Sequence, residues 1–443
     1  MSIFDFLFGK STAALPQPDI RFGRYSDSYK EASNYKSWDI ALEKFEEEQY
    51  LECYKQFFRY LRDEHEDNVR CWSDNGGIRF ELFQGSNKIV GFANEHQLRA
   101  EAKVVKTSSL RVGFMRRMLE QNFELKYSRF SMDEDNTISI VFDTYSLDGS
   151  PYKLYYALKE VATRADKQDD LLLEEFKSLE PADIGHLEQL KTEEKEAKYQ
   201  FIVTQIQKVL REIEEGELNK DQYPGGIAYL LLHLIFKLDY LVKPEGLTME
   251  TLERIHRKYY DNDGRSVVEK NQMLCKELKQ MAERDKVSFF NEMYLTKCTF
   301  GITIPVNHDR VVGFIDSDLP NMDWYQENGY PCIAQAIPSY IVGYCMFNYA
   351  IPKPDRELFH LYFQITESAY FKDLGFQLDY YNEETKALNK RAIRRAIDQI
   401  AEKNSQRFPR LDPALGSLEF DNMLNFSRSF LRLVRNLDMT KSE

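Results

Sequence analysis

The spacing of histidine, cysteine, carboxylate and glycine residues decides which chemistry a chain can support locally. The seven histidines are His65, His96, His186, His233, His256, His308 and His360. None pairs with another at i, i+3 or i, i+4, and neither an H-E-x-x-H run nor a Cys/His cluster occurs, so no metal site built from local sequence is expected. Asp261-Asn262-Asp263-Gly264 has the composition of a calcium loop, but counting from Gly264 puts Tyr259 at the first carboxylate position and Lys270 at the closing glutamate. That register fails, and the segment reads as a turn linking helices. Gly76-Gly77 and Gly225-Gly226 are isolated pairs, without the successive glycines whose amides cradle phosphate. There is no G-x-S-x-G elbow and no cysteine in a polar, strand-ending context. The expectation is a protein that is not an enzyme and carries no cofactor. The alternative is a hydrolase or transferase whose site is assembled from distant residues.

Two features point to binding instead. A helix from Thr385 carries Lys386, Lys390, Arg391, Arg394 and Arg395, Lys403, Arg407 and Arg410 follow, and the last helix adds Arg428, Arg432 and Arg435. This basic end is a candidate docking face for an acidic partner or for the chain's own Glu-rich stretch 174–196, with a solvated helix face as the plainer reading. It lacks the interleaved aromatics of a nucleic-acid stacking platform. At the other end, Ile3, Phe4, Phe6, Leu7 and Phe8 form an apolar tip that can pack on its own chain, dock on a partner or lie on a membrane surface. Lys10 is its one basic residue, which weakens the membrane option.

Composition bounds these readings. The 443 residues carry 59 Lys plus Arg against 72 Asp plus Glu, a net charge of −13, which disfavours a protein whose main task is coating nucleic acid. With 43% apolar residues, including 30 Phe and 27 Tyr, several cores can be buried. The six cysteines lie apart without a C-x-x-C pair and read as reduced thiols of a cytoplasmic protein. The longest apolar run, Ile227 to Leu238, contains His233 and Lys237 and falls short of the ~20 residues of a spanning helix.

The elements come from periodicity. Trp38 to Glu64 predicts an amphipathic helix. Ile78 to Phe83 and Lys88 to Phe92 predict a hairpin about Gln84-Gly85-Ser86-Asn87, and Leu98 to Val105 a third strand. A helix over Leu110 to Gln121 capped by Ser108 and Ser109, strands Phe123 to Met132 and Ile138 to Phe142, and a long helix opened by Pro151 complete this region. The stretch 178–220 predicts a solvated helix, and three helices follow from Gly226 to Phe290. After these, Met293 to Ile304, Arg310 to Ile315 and Leu358 to Ile365 read as strands, with helices at Ile337 to Tyr349 and Thr385 to Lys403 and a further extended segment near Phe376 to Tyr380. This order echoes the first region, as does Val342-Gly343-Tyr344-Cys345 beside Val112-Gly113-Phe114-Met115.

The segment Val112 to Asn136, followed by Ile138-Ser139-Ile140-Val141-Phe142 and the helix with Ala157, Ala162 and Ala165, resembles the YbjN-like families, whose fold is that of type III secretion chaperones. The resemblance covers about 37–176 and implies a binding fold without catalytic residues. The expected fold class is α+β: two type III secretion chaperone-like α/β sandwich domains joined by a helical middle section. Expected boundaries are 1–36 for a lead, 37–178 for the first domain, 179–264 for the helical region, and 265–443 for a diverged second copy with a C-terminal helix. The two copies would pack as an intramolecular pseudo-dimer, with Phe80, Phe83, Phe359, Tyr362 and Phe363 lining a groove between them or filling cores. The expected function is binding of a partner polypeptide, chaperone-like or adaptor-like, through apolar helix and sheet surfaces, with no nucleic acid and no membrane span.

Overall fold

The computed structural model describes residues 17–442 apart from 64, 109, 110 and 177. The apolar tip with Phe4, Phe6 and Phe8 lies outside the described residues.

Helices α1 (Ala32–Glu46) and α2 (Tyr50–Leu61) lead into strands β1 (Val69–Asp74), β2 (Gly77–Gly85), β3 (Asn87–Ala93) and β4 (Gln97–Thr107), helix α3 (Val112–Asn122), strands β5 (Arg129–Met132) and β6 (Thr137–Tyr145), and helix α4 (Pro151–Glu175). The strands form an antiparallel sheet in the order β1-β2-β3-β4-β6-β5, extended by Leu179–Pro181 on β4 and Lys297–Cys298 on β2. Strand alternation turns Ile78, Phe80, Leu82, Ile89, Ala100, Ala102, Ile140 and Phe142 inward. They share a core with Leu154, Ala157, Leu158, Val161, Ala162 and Ala165 of α4. The other face is polar, with ion pairs Arg79–Asp74, Arg70–Glu81 and Arg99–Glu101 among its side chains. Strand β1 carries no readable period because Arg70 to Ser73 are all exposed on this edge. Its turn to β2 uses Asn75 and Gly76, both at positive φ, the backbone of a tight hairpin.

The rest of the chain is helical: α5 (Thr192–Glu215), α6 (Pro224–Val242), α7 (Gly246–Tyr260), α8 (Val267–Ala282), α9 (Lys286–Asn291), α10 (His308–Glu327), α11 (Pro331–Asn348), α12 (Lys353–Thr366), α13 (Ser368–Asp373), α14 (Lys390–Asn404) and α15 (Met423–Arg435). One hydrophobic core joins Phe201 of α5 to Leu437 after α15. Helix α6, at 19 residues and mean hydropathy 1.5, is the one described helix long and apolar enough to cross a membrane, and 89% of it is buried inside the fold. The apolar run Ile227 to Leu238 is thus the middle of a helix that starts two residues before the expected Gly226.

Several strand expectations are overturned. Arg310 to Ile315 belongs to α10, whose N-terminus is capped by the Asn307 side chain accepting from the Arg310 amide. Leu358 to Ile365 belongs to α12, where Leu358, Phe359, Leu361, Tyr362, Phe363 and Ile365 are all buried. A short apolar run buried on most sides carries no period that safely separates strand from helix. Met293 to Ile304 yields only two-residue strands, and no strand forms over 376–380. Among the described residues from 265 onward every strand has two residues, so the sheet that a second copy of the sandwich requires is not built there.

The two halves interlock. Phe300 leaves the helical half and is fully buried in the sheet core, 5.7 Å from the Tyr155 ring. The amides of Thr299 and Phe300 donate to Gln84 Oε1 at 3.1 and 3.0 Å, and Thr299 Oγ1 donates to the Phe83 carbonyl at 2.8 Å. From the other direction, residues 20–31 form a strap against both halves. Phe22 and Arg24 pack on the helical core, and Asp27 accepts a hydrogen bond from Tyr155 of α4.

Candidate functional site: the exposed face of helix α3

Helix α3 is anchored on one side only. Phe114, Met118 and Gln121 are buried, with Phe114 edge-on to Phe176 at 5.4 Å and Gln121 Oε1 accepting from Gln168 at 3.3 Å. On a wheel of 100° per residue these three span about 60°, whereas Val112, Leu119 and Phe123 cluster within about 40° on the opposite side. Those three are 87%, 70% and 95% exposed. Arg116 and Glu120 pair beside them at 3.0 Å. Tyr127, and Met132 at the end of β5, are also exposed. Single exposed apolar residues are ordinary, and three aligned on one helix face make this face the candidate site.

The segment after α3 is pinned from beneath. Glu160 of α4 accepts the amides of Lys126, Tyr127 and Ser128, each at 2.9 Å, and the Ser128 hydroxyl at 2.7 Å. Burial pushes the Glu160 carboxyl up, but the amides and hydroxyl outweigh it and hold the group below the usual glutamate range. A depressed carboxyl stabilises the fold above its unfolded pKa and loses that contribution as pH falls through the folded one. Glu160→Gln is therefore expected to cost about 1–2 kcal/mol at pH 7, allowing for partial exposure, and less near pH 4. Urea denaturation at both pH values checks this, and a deficit that does not shrink at pH 4 contradicts it.

The residues singled out from sequence fall in separate places. Phe80 is in the sheet core, and Phe359 and Tyr362 are in the helical core. Phe83 sits on the outer sheet face, buried under Arg70 and Lys297 at 5.0 and 5.4 Å and beside His186. These four do not line one groove. On α14, Arg391 and Arg395 are exposed, while Arg394 donates to the Leu415 carbonyl at 3.1 Å and lies over the Phe420 ring. Arg428 and Arg435 of the last helix pair with Asp323 and Asp316 of α10. The cap expected at Ser108 is not formed, since Arg111 occupies the N-cap position, and Ser109 lies outside the described residues.

A cleft of about 410 Å³ with many charged side chains in its lining separates the halves. Arg24, Asp239, Glu253, Lys167 and Glu250 bind one another there. Asp166 Oδ1 accepts the Ser86 amide and hydroxyl at 2.8 and 3.1 Å, and the same hydroxyl lies 2.7 Å from Asp169. One hydroxyl proton cannot serve both carboxyls. Burial, with Glu253 adding, pushes Asp166 up to about 6 against the Ser86 hydrogen bonds. A raised carboxyl binds protons in the fold that the unfolded chain has released, so its destabilisation is relieved as pH falls from about 6 toward about 4. Asp166→Asn is expected to be neutral or stabilising at pH 7.5 and to remove this slope. Urea midpoints from pH 4.5 to 7.5 test it, and a wild-type minus variant difference constant with pH contradicts it.

No protein-family model matches the chain, and no curated protein matches it in sequence.

Proposed function

We propose that this protein is a non-enzymatic, cytosolic polypeptide-binding protein, chaperone-like or adaptor-like, that takes a partner through the exposed apolar face of α3 and the adjoining β5 edge. The observation that carries this reading is the stripe Val112, Leu119 and Phe123, left open on a helix whose opposite side is packed. Covering side chains of this kind contributes roughly 1.5–3 kcal/mol each, enough together for a specific complex once a polar rim is added. The sequence resemblance to YbjN-like and type III secretion chaperone families supports the same reading for the sheet half. So does its order of helix, strands, helix, two strands and helix on an antiparallel sheet.

Affinity capture of the tagged full chain from its source's lysate, at low and at moderate salt with mass spectrometry of the retained proteins, tests the proposal. One stoichiometric polypeptide is expected at both salts, because screening weakens mainly contacts between exposed charges. Loss of every partner at moderate salt contradicts an apolar docking face.

A further inference from the structure

The strap carries the sequence Arg21-Phe22-Gly23-Arg24, and each of its last three residues meets a matched feature of the helical half. Phe22 enters an aromatic pocket, its ring centroid 5.2 Å from His360, 5.1 Å from Phe371, 5.9 Å from Phe376 and 6.4 Å from Tyr240. Gly23 has φ +74°, and its amide donates to the Tyr240 carbonyl at 2.8 Å. A Cβ there would stand 2.5 Å from the Tyr240 ring, so both conformation and space demand glycine. Arg24 meets Asp239 as a fork, Nε at 2.9 Å and Nη2 at 2.5 Å, and reaches Glu253 with Nη1 at 2.8 Å. Its guanidinium lies over the Phe347 ring at 4.2 Å.

The hold is local. Among the described residues, one backbone-to-backbone hydrogen bond, that of Gly23, ties residues 20–25 to the remainder of the fold. Clefts of about 410 and 810 Å³ both border Gly23, Arg24 and Tyr25. Residues 22–24 are seated by three side-chain-sized features between voids, flanked by the Arg21–Glu66 ion pair before them and by the Tyr155–Asp27 and Lys30–Leu61 hydrogen bonds after them, and a segment tied mainly by side chains opens more cheaply than a helix of the core. Once it leaves, Asp239 and Glu253 have lost their shared guanidinium, and the groove again requires a cation with fork geometry.

We propose that this seat is a binding groove for an extended polypeptide segment bearing Phe-Gly-Arg, supplied by a partner protein, and that residues 20–31 fill it in cis as a built-in competitor. The aromatic pocket, the site with no room for a Cβ and the paired carboxylates read the three positions in turn. The groove lies on the helical half, and its assignment does not rest on the α3 reading.

The test uses the full chain with Gly23→Ala, which dislodges the strap while leaving every groove residue in place, and a fluorescent peptide of residues 17–31 as probe. The peptide is expected to bind the variant at least tenfold more tightly than the wild type. A peptide with Gly23→Ala or Arg24→Ala, or Asp239→Asn added to the protein, is expected to lose at least tenfold. Equal binding to wild type and variant, or binding indifferent to the peptide's glycine and arginine, overturns the proposal. A wild-type dimer that excess peptide dissociates supports the groove's specificity but overturns a partner as its occupant in favour of a second copy's strap. Should Gly23→Ala fail to fold, hydrogen exchange of the wild type decides. The Gly23 amide exchanging at least a hundredfold faster than the amides of α6 supports a separately opening strap, and exchange at the same rate overturns it.

Discussion

The double variant Leu119→Asp/Phe123→Asp is expected to lose at least a hundredfold in affinity for the captured partner while melting like the wild type. Both side chains are largely exposed, so their replacement removes almost no burial from the folded monomer. In a complex the same two positions would bury a leucine and a phenylalanine, and exchanging them for carboxylates forfeits roughly 3–6 kcal/mol of apolar burial and adds desolvation of charge. A hundredfold corresponds to about 2.8 kcal/mol, well inside that loss. Thermal unfolding and titration against the purified partner check the two halves of the expectation. A variant that binds normally removes α3 from the interface, and one that unfolds shows these side chains to be structural.

The second large effect concerns two glycines at matching places in similar tetrapeptides. Gly343 lies where α11 crosses α6, and a Cβ on it would stand 2.7 Å from the Phe236 Cβ. Gly343→Val forces the two helices apart and is expected to cost about 3 kcal/mol through overpacking. A Cβ on Gly113 of α3 would meet nothing within 4 Å, so Gly113→Ala adds helix propensity without a clash. It is expected to stabilise by about 0.5–1 kcal/mol. Urea denaturation of both variants checks the contrast, and similar effects of like sign contradict it. The likeness of Val112-Gly113-Phe114-Met115 and Val342-Gly343-Tyr344-Cys345 thus joins a glycine facing open space to one filling a close helix crossing.

Half-buried elements are legible in the sequence because they alternate between core and water. The β2–β3 hairpin, β6 and α4 follow from such patterns, as does the helical character of Trp38 to Glu64, which the chain breaks into α1 and α2, and Pro151 opens α4 as expected, with the Ser150 side chain as its cap. Legibility fails at both extremes of burial. The edge strand β1 is exposed along most of its length and shows no period, whereas α12 is buried on most sides, so that Leu358 to Ile365 passes for an alternating strand. The apolar stripe of α3 is hidden for another reason. Val112, Leu119 and Phe123 are indistinguishable in sequence from residues that point into a core, and only the position of the sheet shows that they point away from it. The strap reads in sequence as no more than a lead, because Phe22, Gly23 and Arg24 are recognised by residues more than 200 positions away, such as Asp239 and Glu253.

The most direct measurement of the central claim is photo-crosslinking in the source's own lysate, with a photoreactive phenylalanine analogue placed at position 123 and, in a separate protein, at the exposed position of Tyr35 on α1. The account predicts one abundant polypeptide adduct from position 123, present at low and moderate salt and absent from position 35. Adducts of equal yield from both positions, or none from position 123, would contradict a docking face on α3.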